Sequence, residues 1–121
     1  MRVAIFVVLF AVSLVSQPVD ARSCDRVSND VDEARSKLRR AAGETDLESA
    51  KDNARRAKNA LEDAASAASE CGCSAAYSEL DDAASKARRA RDAYDSDEFV
   101  YQINRSIRSF NAALDALRRC R

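Results

Sequence analysis

Cys24 and Cys71 lie 47 positions apart, and so do Cys73 and Cys120. No other feature of the chain restricts its fold as much. Sliding the sequence by 49 positions aligns its two halves without a gap. VDEARSKLRRA (Val31 to Ala41) then falls on LDDAASKARRA (Leu80 to Ala90), Asp46 falls on Asp95, and Arg56 falls on Arg105. Two tandem copies of one unit are the simplest reading, repeat 1 over 24–71 and repeat 2 over 73–120, with Gly72 as the joint. Only two glycines and one proline occur in 121 residues, and Ala, Arg, Asp and Ser dominate, so the unit is expected to be helical.

Each unit breaks at its middle. Apolar positions run Val27, Val31, Ala34, Leu38, Ala41 in steps of four and three, then resume as Leu47, Ala50, Ala54, Ala57, Leu61, Ala64, Ala68, Cys71. The jump from 41 to 47 fits no helical step, so the stripe changes helix there. Gly43 is a plausible C′ residue, and Thr45 with Glu48 reads as a capping box. In the second unit the stripes are Ala76, Leu80, Ala83, Ala87, Ala90, Tyr94 and then Phe99, Ile103, Phe110, Ala113, Leu117, Cys120, widened by Val100, Ile107 and Leu114. Asp95, three before Glu98, is the corresponding N-cap. The pattern predicts helices over 26–42, 46–70, 75–94 and 97–119. Short connections make successive helices antiparallel, which gives an all-α, up-down-up-down four-helix bundle built from two helical hairpins. Alanine along the seams lets the axes approach closely.

The chain ahead of this domain reads as a signal peptide over 1–21. Arg2 precedes an apolar run from Val3 to Val15 that only Ser13 interrupts, and Val19 and Ala21 suit cleavage after Ala21. The run is shorter than the ~20 residues of a spanning helix. The expected mature domain is 22–121, secreted or periplasmic, with no transmembrane segment after cleavage. In such a compartment four cysteines form disulfides. Three pairings exist, and a hairpin that folds at its midpoint favours Cys24–Cys71 and Cys73–Cys120. A bridge between Cys71 and Cys73 would close a very small, strained ring. The favoured pairing brings all four sulfurs to one end of the bundle. It also carries a length mismatch: the second helix outruns the first, so the segment 24–28 is expected to be partly extended.

Cys71-Gly72-Cys73 also permits a second chemistry. A dithiol one residue apart, at the start of a helix, suits a redox centre, and four thiolates at one bundle end suit a soft metal. Against both stand the adjacent Glu70, the absence of histidine and the oxidising compartment. No cofactor and no metal are expected.

Charge does not point to a nucleic-acid partner. Twenty basic residues balance twenty acidic ones. Clusters such as Arg39-Arg40 and Arg88-Arg89 follow acidic residues along the same helices, an order that complements the helix dipole. The spacing sets up i,i+4 pairs: Glu33 with Lys37, Asp52 with Arg56, Asp82 with Lys86, Asp115 with Arg119. Strongly salt-dependent association of the Arg-rich faces with a membrane or cell envelope is a third reading. No catalytic residue stands out. Ser36-Lys37 and Ser85-Lys86 are adjacent pairs that cannot face each other on a helix. Asn104-Arg105-Ser106 forms a glycosylation sequon.

One surface invites a partner. Phe99, Val100 and Tyr101 are consecutive, so they cannot all enter one seam, and Tyr77 lies beside its own stripe. These residues either plug an alanine-lined core or form a contact for another protein or a second copy of the chain. The expectation overall is a non-enzymatic, disulfide-stabilised interaction or structural module, with the thiol redox or metal protein as the alternative.

Overall fold

The structure, a computed structural model, describes residues 24–120. The signal peptide expected over 1–21 lies outside the described residues. Four helices account for nearly all of the rest: α1 over 24–43, α2 Leu47–Glu70, α3 Ser74–Arg91 and α4 Ser96–Arg119. They form an up-down-up-down bundle. α3 packs along both α2 and α4, whereas α2 and α4 lie diagonally and barely touch. α1 closes the ring against α4, where the Arg35 guanidinium lies 5.9 Å from the centre of the Phe110 ring. No helix among the described residues is long and apolar enough to cross a membrane.

The bounds of α2 and α4 differ by 49 at both ends. Their starts are built alike. Asp46 accepts a hydrogen bond from the Ser49 amide at 2.9 Å, and Asp95 accepts one from the Glu98 amide at 2.8 Å. The expected Thr45 box is therefore displaced by one residue. Asp is at least as good an N-cap as Thr, and its carboxylate also meets the positive end of the helix dipole. Gly43 likewise does not take the left-handed C′ conformation; it is the last helical residue of α1.

The segment 24–28 is helical, which corrects the expectation that part of it is extended. The mismatch is absorbed at the other end. α2 exceeds α1 by four residues, or ~6 Å of rise. Four Cα steps from Gly43 to Leu47 span up to ~14 Å, enough to climb that distance and cross to the next axis. The first turn of α2 therefore overhangs the end of α1, and its first buried residue is Ala50. α3 ends at Arg91 rather than at 94 because the chain must turn to place Asp95 as a cap. Ala93 takes the buried position in that turn, and Tyr94, expected on the seam, is 84% exposed.

The core follows the expected stripes closely. Val27, Val31, Ala34, Leu38 and Ala41 of α1 are all buried, as are Ala50, Ala54, Ala57, Leu61, Ala64 and Ala68 of α2. In the second unit Ala76, Leu80, Ala83, Ala87 and Ala90 face Phe99, Ile103, Phe110 and Ala113. Polar residues join the α3–α4 seam. The Ser106 hydroxyl, fully buried, donates to the Ala83 carbonyl at 2.8 Å. Lys86 and Gln102 are also buried, Lys86 against Asp82 at 2.7 Å and Gln102 against Glu98 at 3.0 Å. The gap between Ile103 and Phe110 in the apolar stripe marks where Ser106 enters.

Gly72 is the backbone position on which the two hairpins turn. Its φ is 87°, the one positive φ among the described residues. The Gly72 amide donates to the Ser69 carbonyl at 3.1 Å and the Cys73 amide to the Ala68 carbonyl at 2.9 Å. This bond pair is a Schellman motif, with Cys71 as C-cap and Gly72 as C′. Cys73 is at once the C″ residue of that motif and the N-cap of α3. A Cβ at position 72 would meet nothing within 4 Å, so the requirement for glycine is conformational and not steric. Gly72→Ala is expected to cost about 1–2 kcal/mol, the left-handed penalty for an L-residue, measurable by urea denaturation without a change in secondary-structure content.

Candidate functional site

Two disulfides, Cys24–Cys71 and Cys73–Cys120, staple the hairpins, with Cα separations of 5.1 Å and 5.8 Å. No cysteine among the described residues is free. Both bridges stand at the end of the bundle where α1 and α3 begin and α2 and α4 finish. Their environments differ: Cys73 is buried, Cys71 half-buried, and Cys24 and Cys120 exposed. The CGC motif is thus two halves of separate crosslinks joined by a helix-reversing glycine. A bonded sulfur is neither a nucleophilic thiolate nor a metal ligand in this form.

A groove of about 360 Å³ opens beside the bridges, between α1 and α4. Val27 and Val31 form its floor, Leu114 and Leu117 a wall, and all four cysteines close one end. Asp32, Arg35 and Arg118 stand at its edge. Arg35 is held by Asp32 at 3.0 Å, and Asp115 binds both Arg118 and Arg119.

The four residues expected as a partner contact are not brought together. Phe99 is buried, because it shares a helical face with Ile103 and Phe110, and it drops out of any contact surface. Val100 is 52% exposed and Tyr101 55% exposed near the start of α4, where the Arg105 guanidinium lies 5.4 Å from the Tyr101 ring centre. Tyr77 is 42% exposed, but it sits in the first turn of α3, at the disulfide end. Helical rise puts it about 20 Å along the axis from Tyr101. The aromatic rings therefore define two separate patches, and neither tyrosine plugs the core.

The expected i,i+4 pairs all form: Glu33–Lys37 at 3.5 Å, Asp52–Arg56 at 3.2 Å, Asp82–Lys86 at 2.7 Å and Asp115–Arg119 at 3.7 Å. Exposed pairs of this type contribute little individually. Asp82 is different in kind, because it also accepts a hydrogen bond from Ser109 across the α3–α4 seam. The Lys86 ammonium, followed by the Ser109 hydroxyl, holds its carboxyl below the ordinary value. Asp30 moves the other way. Burial and then the charge of Asp63 raise it, against the opposing pull of Arg26.

These directions fix the sign of the acid response. A depressed carboxylate stabilises the fold above its unfolded value of ~4 and loses that contribution as pH falls through the folded value. Asp82→Asn should therefore lower the melting temperature at pH 7, with the gap to the parent closing toward pH 2. Asp30→Asn should raise it slightly at pH 7, within the ~0.5 kcal/mol of most surface changes, with the gain vanishing in acid. Thermal melts by circular dichroism across pH 2–7 read both.

Asn104 is exposed, while Ser106 of the same sequon is buried and hydrogen-bonded inside the bundle. Recognition of the sequon in the folded chain would require opening α4. No family model, curated protein or solved structure matches the chain.

Proposed function

We propose that this chain is an exported, non-enzymatic module, two copies of an ancestral helical hairpin locked by disulfides, which acts through contacts with another protein. The observation that carries the reading is the commitment of all four cysteines to crosslinks that brace a bundle with little large-residue core. Bridges of this kind persist in a secretory or periplasmic compartment. Solvent-exposed Val100 and Tyr101, with the exposed Tyr94 in the loop that precedes α4, supply the contact face, since aromatic residues anchor interfaces. Balanced charge and locally paired arginines favour protein over nucleic acid as the partner class.

Two measurements test this. Thiol titration of the native protein should find no reactive thiol; a reactive or metal-bound thiol at Cys71 or Cys73 would favour the redox or metal alternative instead. Tyr101→Ala should leave the melt within about 0.5 kcal/mol of the parent while weakening capture of the partner from the native compartment. Tyr77→Ala, on the distant patch, should leave both unchanged. Equal loss of capture in the two variants would contradict a contact face at the start of α4.

A further inference from the structure

The groove between α1 and α4 lies on the one seam of the bundle that no covalent link crosses among the described residues. α1 is tied to α2 by residues 44–46 and a disulfide, α2 to α3 by Gly72, and α3 to α4 by residues 92–95 and a disulfide. α1 and α4 meet only through side chains, so this seam can part without breaking a connection. The corresponding place on the α2–α3 seam is closed. There, 49 positions away in sequence, Ala76, Leu80, Ala65 and Ala68 stand where Val27, Val31, Leu114 and Leu117 line the groove. The four on the closed seam are all buried, whereas Leu114 and Leu117 remain partly exposed. Val27, Leu114 and Leu117 stand where the closed seam has alanine; Val27 and Val31 form a buried floor, and Leu114 and Leu117 a wall partly open to solvent. The volume, about 360 Å³, equals roughly a dozen water-sized groups, at the lower end of ordinary ligand sites.

The rim has a sign. Arg35 and Arg118 line it against Asp32 alone, and Arg118 shares the carboxylate of Asp115 with Arg119, both of which lie outside the groove. Five donors per guanidinium leave several unused at the disulfide end of the groove. We propose that the groove binds a free single-chain fatty carboxylate of about ten to twelve carbons, matching its dozen water-sized groups, the tail between Val27, Val31, Leu114 and Leu117 and the head at Arg118. This site is independent of the protein-contact reading above, which rests on the opposite end of the bundle.

Dodecanoate below its micelle concentration is the probe, titrated into the disulfide-bonded protein by calorimetry and by amide NMR. Saturable binding is expected, with shifts at Val27, Val31, Leu114 and Leu117 but not at Ala65 or Ala76. Dodecyltrimethylammonium, with the same tail and a cationic head, should bind about tenfold more weakly or worse, a gap of ~1.4 kcal/mol. Leu114→Phe fills the groove and should abolish binding. Arg118→Glu, at a side chain 71% exposed to solvent, should weaken it without touching the fold, and so carries the test if Leu114→Phe misfolds. Absence of saturable binding, equal binding of the cation, shifts on another face, or retention on anionic phospholipid vesicles without binding of free dodecanoate would each overturn the proposal.

Discussion

Removing either disulfide should lower the melting temperature by about 15–30 °C, and removing both should leave the chain unfolded at 37 °C. Each bridge spans 47 positions. Closing a loop of that length restricts the unfolded chain by ~4 kcal/mol. One kcal/mol moves the midpoint of a 60–100-residue domain by ~4–8 °C, and whole-domain stability is only ~5–15 kcal/mol. Equal loop lengths make the entropic contributions equal. The native environments are not equal, because Cys73 is buried with its sulfur near the Ala116 carbonyl while Cys24 is exposed. Cys73→Ala/Cys120→Ala should therefore cost more than Cys24→Ala/Cys71→Ala, the excess being lost packing around position 73. Melts of the two double variants, beside the parent in excess reductant, measure both numbers. A parent melt that reductant leaves unmoved would remove the crosslinks from the account of stability.

The reason this bundle is expected to depend on its crosslinks was only partly legible in the sequence. Counting large apolar residues credits the second unit with far more core than the first. Among buried residues the two are level: Val27, Val31, Leu38 and Leu61 against Leu80, Phe99, Ile103 and Phe110. The apparent surplus is spent outside. Tyr77, Tyr94, Val100 and Tyr101 are exposed, and Ile107, Leu114 and Leu117 are half-buried. Residue type alone could not separate these groups, but helical phase separates most of them. Phe99 enters the core because Ile103 and Phe110 continue its face, and its neighbours are rotated away by 100° each.

Periodicity carried the rest of the fold for a simple reason. An alanine seam tolerates few alternatives, since its residues are small and the helices must meet along one line. The positions that resisted reading are those set by tertiary closure. The cap at Asp46, and not Thr45, was already implied by its alignment with Asp95. The early end of α3 depends on where α4 must start. The groove depends on which residues of α1 and α4 face each other, and those lie far apart in sequence. Gln102, whose buried side-chain oxygen has no partner among the described residues, carries no sequence signal of its burial beyond its place one turn before Ser106.

The same accounting makes Phe110 the side chain whose loss should hurt most. It is buried and stands where α4 meets α1, against the Arg35 guanidinium. Alanine neighbours cannot collapse far into the space that a ring leaves, because their own side chains end at Cβ and their backbones are fixed by helical hydrogen bonds. The cavity term should therefore sit high in the usual range for Phe→Ala, about 3–5 kcal/mol. The α1–α4 seam has no covalent tie among the described residues, so the damage should be uneven. Hydrogen exchange in Phe110→Ala should quicken first along α1, while α2 and α3, joined through Gly72 and packed along their length, keep their protection. Denaturation together with exchange tests the magnitude and the location. A uniform rise across all four helices would mean that the bundle opens as one unit and that its unlinked seam is no weaker than the others.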